Sequence, residues 1–168
     1  MKKCLGPVIS DTSRILILGS LPGDQSLEKQ RYYAHPGNQF WPTISAVFKE
    51  PIPDDDNEKI RLLHRQCVAL WDVLKSADRQ GSTDGAIKNA VPNEIAELLA
   101  CYPSLHTIAF NGVKAEKLYP KHVLGQRQIP IVDEPRLVGL PSTSPTPGRN
   151  VETMEEKVAE WRAVLIPG

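Results

Sequence analysis

Four short apolar runs along the chain predict the strands of a buried sheet. The first covers residues 14–18, where four apolar residues in a row are followed by Gly19. Continuous runs of this length are typical of strands that are covered on both faces, as in parallel sheets. The other runs lie at residues 68–73, 107–110 and 136–140. A further run at residues 129–132 is compatible with a short fifth strand or with a loop.

Between these runs, apolar residues recur with the period of a helix. The clearest apolar helix face consists of Phe40, Trp41, Ile44, Val47 and Phe48. The same spacing predicts helices that include residues 60–63, 95–99 and 151–165. We expect Pro92 to open the second of these three helices and Asn150 to cap the third.

Strands that alternate with helices predict an α/β fold in which a parallel sheet is covered on both faces. We therefore expect a three-layer α/β/α sandwich around a central, mainly parallel sheet of four strands, or of five if residues 129–132 join it. The 168 residues fit a single domain, over residues 1–168. Such folds bind ligands beyond the carboxyl ends of their strands, which makes the loops after residues 18, 110 and 140 candidate site loops.

Charge and composition narrow the class of protein. The chain has 20 Lys and Arg against 20 Asp and Glu, so only a local basic face would favour nucleic acid. One group of residues close together in the sequence could form such a face: Lys114, Lys117, Lys121, His122 and Arg127. The alternative is that they form an ordinary solvated helix surface. No apolar run approaches the roughly 20 residues of a membrane span, and no signal peptide is evident, so we expect a cytoplasmic protein.

Metal and cofactor chemistry finds little support in the sequence. The three cysteines are widely spaced and include no CxxC pair, which argues against disulfides, zinc and iron–sulfur clusters, and we expect Cys67 and Cys101 to be core thiols. Three aspartates at residues 54–56 favour a helix N-terminus over a metal site. The glycine-rich loop at residues 19–23 lacks the signatures of phosphate and dinucleotide loops. We therefore expect neither a metal nor a cofactor.

Two neighbouring segments carry the candidate chemistry. The loop Gly19-Ser20-Leu21-Pro22-Gly23 offers glycines for close approach of a ligand and backbone amides for a carbonyl or an anion. The segment at residues 32–41, YYAHPGNQFW, combines aromatic rings, an imidazole and two amides, which suits a pocket for a flat heterocycle. His35 is either catalytic or shapes the loop through a bond between its ring and the backbone.

These motifs together resemble the uracil-DNA glycosylase superfamily. A strand followed by GxxPG and then AHPxNxFW is specific as a unit, and the second motif is shared with the mismatch-specific uracil/thymine branch. The forms GSLPG, YYAHP, WDVL, FNG and LPSTSP are similar to the hypoxanthine-DNA glycosylase branch, called family 6. The later motifs are individually weak but occur in the expected order, so the resemblance extends from about residue 14 to residue 161.

The resemblance implies a role for each candidate residue. Leu21 stands where the mismatch-specific branch has a catalytic asparagine, and Asn38 is implied to be the catalytic amide that holds the attacking water. Tyr33 is implied to stack on the extruded base and Asn111 to face it. The other implied residues of the base pocket are Gly19, Ser20, Leu21, Pro22 and Gly23. The implied DNA-binding loop consists of Pro141, Ser142, Thr143, Ser144 and Pro145.

The implied function is a monofunctional DNA glycosylase that hydrolyses the N-glycosidic bond of deaminated bases, hypoxanthine first, in base excision repair. The expected partner is double-stranded DNA containing such a base, and we expect a monomer with no membrane association. Leu140 replaces a His or Asn of many relatives, which argues against efficient uracil removal, and Ser144 replaces a common leucine wedge. The alternatives are a glycosylase of G/U mismatches, a non-catalytic nucleic-acid-binding domain and a nucleoside-processing enzyme.

Overall fold

The structure is a computed structural model that describes residues 5–78, 88–125, 130–131, 133–144 and 153–166. The described residues form six strands: β1 (Ile15–Gly19), β2 (Val68–Asp72), β3 (Leu74–Asp78), β4 (Lys88–Pro92), β5 (Thr107–Asn111) and β6 (Arg136–Leu140). Their helices are α1 (Asp24–Lys29), α2 (Phe40–Phe48), α3 (Asp56–Arg65), α4 (Ile95–Cys101), α5 (Val113–Tyr119) and α6 (Met154–Leu165). A π-helical turn, Pro120–Leu124, continues α5.

The central sheet has four parallel strands in the order β2-β1-β5-β6. After β1 the chain moves to one side, to β2, whereas after β5 it moves to the other side, to β6. The adjacent strands β1 and β5 therefore flank the point where the direction of the connections reverses. Ligands of open α/β sheets bind in the crevice outside the carboxyl ends of such strands. This topology confirms the predicted α/β class and parallel sheet.

Successive residues of β1 contribute to opposite faces of the sheet, because side chains alternate along a strand. Ile15 and Ile17 pack into one core with α2, α3 and α6, around the buried rings of Phe40 and Trp161. Leu16 and Leu18 pack into a second core with α4, α5 and the π-helical turn. Both faces of the sheet are thus covered by helices, which confirms the predicted three-layer sandwich.

The observed ends of the helices agree only in part with those predicted from the sequence. The Asp55 side chain accepts a hydrogen bond from the Asn57 backbone N–H at the start of α3, so the acidic stretch is a helix cap as predicted. By contrast, Pro92 ends strand β4 and opens no helix. Helix α6 begins at Met154 with Thr153 as its N-cap, later than predicted, and Asn150 lies outside the described residues.

A second sheet, formed by β3 and β4, was not predicted. These strands pair antiparallel with an irregular register, and their mixture of charged, polar and small residues shows no clean alternation. Half of the run at residues 129–132 lies outside the described residues, and its two described members, Pro130 and Ile131, belong to no strand.

Some surface predictions also need correction. His122 is buried, so it does not belong to a basic face, and burial together with the charge of Lys121 lowers its pKa. Lys117 and Lys121 are exposed, whereas Arg127 lies outside the described residues. Cys101 is exposed rather than a core thiol, and Cys67 is half-buried. Within the described residues, no helix is long and apolar enough to cross a membrane, and no cluster of metal-binding side chains occurs.

Candidate active site

A cavity of about 430 Å³ lies at the carboxyl ends of the sheet strands. The three loops selected from the sequence, after β1, β5 and β6, all meet there. The predicted residues in its wall are Gly19, Ser20, Leu21, Pro22, Gly23, Tyr33, His35, Asn38, Asn111, Ser142, Thr143 and Ser144. Pro141 attaches the loop after β6 to helix α6, because its carbonyl accepts a hydrogen bond from the Trp161 indole N–H (3.0 Å). Pro145 lies outside the described residues.

The floor of the cavity forms where the chain leaves β1. A Cβ atom on Gly19 would lie 2.6 Å from Asp72 Oδ1 and 3.7 Å from Tyr33 Oη, so this position has no room for a side chain. The backbone is held in place because Val73 and Leu74 donate their N–H groups to the carbonyls of Gly19 (2.8 Å) and Ser20 (3.0 Å). Gly19 is therefore required by close packing at the end of β1.

Tyr33 is one of the residues that line the cavity. One face of its ring stacks on Phe40 with the centroids 4.0 Å apart, and its hydroxyl accepts a hydrogen bond from Asn111 Nδ2 (3.1 Å). Its φ of 56° is in the left-handed region, which is uncommon for a large side chain and costs about 1–3 kcal/mol. Burial, assisted by the negative charge of Asp72, raises the pKa of the hydroxyl well above its ordinary value. The ring therefore stays neutral and can stack on a base.

Asn111 connects three parts of the site. Its amide nitrogen donates to Tyr33 Oη and to Thr143 Oγ1 (2.9 Å), and its oxygen accepts from the Thr143 backbone N–H (2.9 Å). Both amide hydrogens are thus engaged by the protein, and the oxygen keeps one lone pair. Asn111 therefore links Tyr33 to the loop after β6 through hydrogen bonds. Its implied contact with a base stays a prediction.

Asn38 lies at the start of α2, next to the exposed His35. Its side-chain oxygen accepts a hydrogen bond from the Phe40 backbone N–H (2.9 Å), which fixes the orientation of the amide. Its NH₂ group makes no hydrogen bond to the described residues, and Asn38 is one of the residues that line the cavity. His35 Nδ1 accepts from the Gly37 N–H (2.9 Å), which is the loop-shaping bond considered for this residue.

The loop after β6 combines one buried residue with two exposed ones. Thr143 is fully buried, and its carbonyl accepts a hydrogen bond from the Gln39 backbone N–H (2.9 Å). Ser142 and Ser144 are exposed, and the Ser144 backbone N–H donates to Ser142 Oγ (3.0 Å). This loop therefore contributes two exposed serines to the lining of the cavity, while its implied contact with DNA stays a prediction.

Asp72 is a residue of the cavity wall that the sequence analysis did not select. It ends β2 and is only 6% exposed. The available signal was an acidic residue at the end of a buried apolar run, at the same edge of the sheet as the three selected loops. The described lining includes this carboxylate, the exposed Asp24 and many neutral hydrogen-bonding groups, but no lysine.

Comparisons with known proteins agree with this architecture. A protein of Methanosarcina acetivorans named Hypoxanthine DNA glycosylase is 35% identical over 173 aligned positions, which cover 98% of each chain. One of the same name from Methanosarcina barkeri is 38% identical over 120 residues, 71% of this chain and 76% of the relative. A solution NMR structure from M. acetivorans, of a protein proposed to be a uracil DNA glycosylase, matches with a TM-score of 0.77 at 34% identity and covers 98% of this chain and 96% of that one.

The family assignment rests on the whole domain rather than on one motif. A family model described as the Uracil DNA glycosylase superfamily matches residues 7–165, which include all the strands and helices named above. The fold, the position of the cavity and these matches lead to one conclusion: the chain belongs to the uracil-DNA glycosylase superfamily.

Proposed function

We propose that this protein is a monofunctional DNA glycosylase that releases hypoxanthine from DNA in base excision repair. The observation that carries the proposal is the pairing, in one cavity, of the stacking ring of Tyr33 with the oriented amide of Asn38. The relatives named Hypoxanthine DNA glycosylase support the choice of base, since one of them matches along nearly the whole chain.

The proposed reaction requires that the target nucleotide leaves the duplex, because the cavity lies within the protein at the carboxyl ends of the strands, which a base paired in a helix does not reach. Enzymes that act on a base extrude it at a cost of a few kcal/mol, least for a damaged or mispaired base. Stacking on Tyr33 would offset part of this cost, since such contacts contribute roughly 1–3 kcal/mol per base.

Cleavage is a hydrolysis at the sugar. The bond between C1′ and N9 breaks through an oxocarbenium-like state, and its electron pair leaves with the purine. A water molecule adds to C1′ and loses a proton to the solvent, and the released purine takes up a proton in turn. Asn38 holds this water through its free NH₂ group and remaining lone pair, which lowers the entropic cost of the attack. Backbone N–H groups of the loop after β1 stabilise negative charge on the departing base.

The absence of a lysine from the described cavity lining supports a reaction that stops at the abasic site. A strand-cleaving lyase step needs an amine to form a Schiff base with the sugar, and the described lining offers none. The enzyme proposed here is a monomer. A cytoplasmic location is part of the same proposal.

A substrate panel tests the proposed function. Duplex oligonucleotides that each carry one deoxyinosine, deoxyuridine, deoxyxanthosine or mispaired thymidine are incubated with the protein, and abasic sites are revealed by alkaline cleavage on a gel. We expect the fastest release from deoxyinosine. Faster release of uracil would contradict the choice of base, and abasic sites from none of the four would favour the non-catalytic alternative. Cleavage of free inosine would favour a nucleoside-processing enzyme.

Replacing Tyr33 with alanine should slow base release more than it weakens duplex binding. Loss of the stacking face removes roughly 1–3 kcal/mol from the extruded state, or about 5- to 150-fold in rate. Tyr33→Phe is the matched control because it keeps the ring on Phe40 and loses only the hydroxyl that accepts from Asn111. Single-turnover rates and duplex affinities measure the two effects. An equal loss of binding and release in Tyr33→Ala would indicate a folding role instead.

A further inference from the structure

Helix α6 contributes no residue to the described lining of the cavity, yet one of its side chains contacts the segment that carries the proposed catalytic amide. Lys157 is half-buried, and its ammonium group donates a hydrogen bond to Gln39 Oε1 (2.8 Å). Gln39 directly follows Asn38 in the chain. It directly precedes Phe40, on which the ring of Tyr33 stacks. The contact therefore acts at the centre of the candidate site from outside the cavity.

The contact between Lys157 and Gln39 is not an ion pair. The acceptor is a neutral amide, and Lys157 makes no salt bridge with any described residue. A charged group that is partly removed from water loses hydration, and a lysine held in one place loses rotamer freedom. These costs offset much of the gain from the bond. Its main consequence is the position that it fixes for Gln39.

Gln39 is held in three directions. Its backbone N–H donates to the Thr143 carbonyl (2.9 Å), and its own carbonyl accepts from the Thr43 N–H in the first turn of α2 (2.9 Å). Its side chain is held by Lys157. Gln39 thus joins the segment at residues 38–40 to the loop after β6 through its backbone, and to α6 through its side chain.

The same face of α6 also holds the loop after β6. Trp161 is fully buried, and its indole N–H donates to the Pro141 carbonyl (3.0 Å). Lys157 and Trp161 are four residues apart, so they are neighbours on one face of the helix. One turn of α6 therefore contacts both segments, and the buried indole fixes the helix against the core.

These two segments carry groups whose separation matters for the proposed hydrolysis. Asn38 belongs to the first segment. In the second, Thr143 is bonded to Asn111, which donates in turn to the Tyr33 hydroxyl. A shift of Gln39 relative to Thr143 would therefore change the distance between the amide that holds the water and the base stacked on the ring. A misplacement of about 1 Å can lower a rate about 100-fold.

We infer that Lys157 is a positioning residue, which acts through Gln39 to hold Asn38 at the correct distance from a base stacked on Tyr33. The inference rests on the proposed function and adds a residue outside the cavity on which the rate of hydrolysis depends. Because Lys157 acts through Gln39 and not on the substrate, its loss should lower the rate of base release without weakening the binding of the duplex.

Lys157→Met tests this inference, because methionine keeps an apolar stem of similar length and lacks the ammonium group. We expect the single-turnover rate of hypoxanthine release at saturating enzyme to fall about 10- to 100-fold, with duplex affinity within about threefold of wild type. Arg162→Met is the matched control. The Arg162 guanidinium also joins α6 to α2, through the Ala46 carbonyl (3.1 Å), but towards the end of α2 that lies away from Asn38.

The control should release hypoxanthine at the wild-type rate. Equal slowing in the two variants would mean that the loss reflects helix packing, and would overturn the inference. So would a rate in Lys157→Met no lower than that of the control. A loss of duplex affinity as large as the loss of rate would assign Lys157 to DNA binding instead.

Gln39→Met removes the same hydrogen bond from its other side. We expect the loss of rate to match that of Lys157→Met. The double variant should be no slower than either single variant, because two residues that act through one bond do not give additive effects. Multiplied losses, or full activity in Gln39→Met, would refute the inference. Thermal unfolding shows whether Lys157→Met is folded, and Gln39→Met decides the question if it is not.

Hydrogen exchange resolved by residue follows the position of the segment without any reaction. The Gln39 N–H, which donates to Thr143, should exchange at least about tenfold faster in Lys157→Met than in wild type. The Val73 N–H, which donates to the Gly19 carbonyl, is the internal reference and should be unchanged. Unchanged exchange at Gln39 would overturn the role of Lys157.

The outcomes separate the two proposals. If the wild-type protein releases hypoxanthine and Lys157→Met releases it equally fast, only the role of Lys157 fails. If the wild type releases uracil but not hypoxanthine, the proposed choice of base fails, and the same comparison of variants is made with deoxyuridine. If the wild type releases none of the four bases, both proposals fail together.

Discussion

Replacing Asn38 with alanine should lower the rate of hypoxanthine release from a deoxyinosine duplex about 100- to 1,000-fold while the protein stays folded. The orientation of the Asn38 amide is fixed, because its oxygen accepts a hydrogen bond from the Phe40 N–H. Its NH₂ group makes no hydrogen bond to the described residues and is therefore available to a water molecule. In the proposed mechanism, removal of this group leaves the attacking water unpositioned and does not change stacking on Tyr33. The measurement is a single-turnover rate at saturating enzyme.

A matched variant separates the two roles of Asn38. Loss of the bond to the Phe40 N–H should itself lower the free energy of unfolding by about 0.5–1.5 kcal/mol. Asn38→Ser keeps a short side-chain oxygen that can accept from the backbone two residues on, but it has no amide. We expect the serine variant to be as slow as the alanine variant and closer to wild type in stability. Near-full activity of Asn38→Ala would rule out the assignment of Asn38.

The central sheet could be predicted because its strands are locally unambiguous. A run such as residues 15–18 has enough consecutive apolar residues to exclude a half-exposed strand, and its alternation assigns Ile17 and Leu18 to opposite cores. The strands β3 and β4 carry no such signal. Their pairing depends on contacts across an irregular antiparallel register, which no local pattern encodes. Likewise, Asn150 and Thr153 are both good cap residues, and only tertiary packing decides which of them caps α6.

The sequence was sufficient to predict which loops form the candidate site, but not which hydrogen bonds connect their side chains. Because the strands are parallel, the segments after β1, β5 and β6 had to meet at one edge of the sheet, and they do. The sequence could not show that the amide of Asn111 is engaged by Tyr33 and Thr143, which lie 78 and 32 residues away. Asp72 was missed because an acid at the end of an apolar run is equally typical of a strand that reaches solvent. Only the depth of the cavity identifies it as part of the wall.

The second large effect is expected at Gly19. Gly19→Ala should reduce hypoxanthine release at least about 100-fold and lower the free energy of unfolding by about 1–3 kcal/mol. The new methyl group would lie 2.6 Å from Asp72 Oδ1 at a buried position, so either the strand ends separate or the carboxylate moves. If the carboxylate moves into the cavity, it occupies the space of the base. The effect on activity should therefore exceed what the loss of stability explains.

Gly6→Ala is the matched control for this substitution, because a Cβ atom on Gly6 would have no heavy atom within 4 Å. We expect it to leave both the unfolding free energy and the rate of base release unchanged. Chemical denaturation and single-turnover assays on the two variants give the comparison. Wild-type activity in Gly19→Ala would mean that the end of β1 is not the floor of the base site.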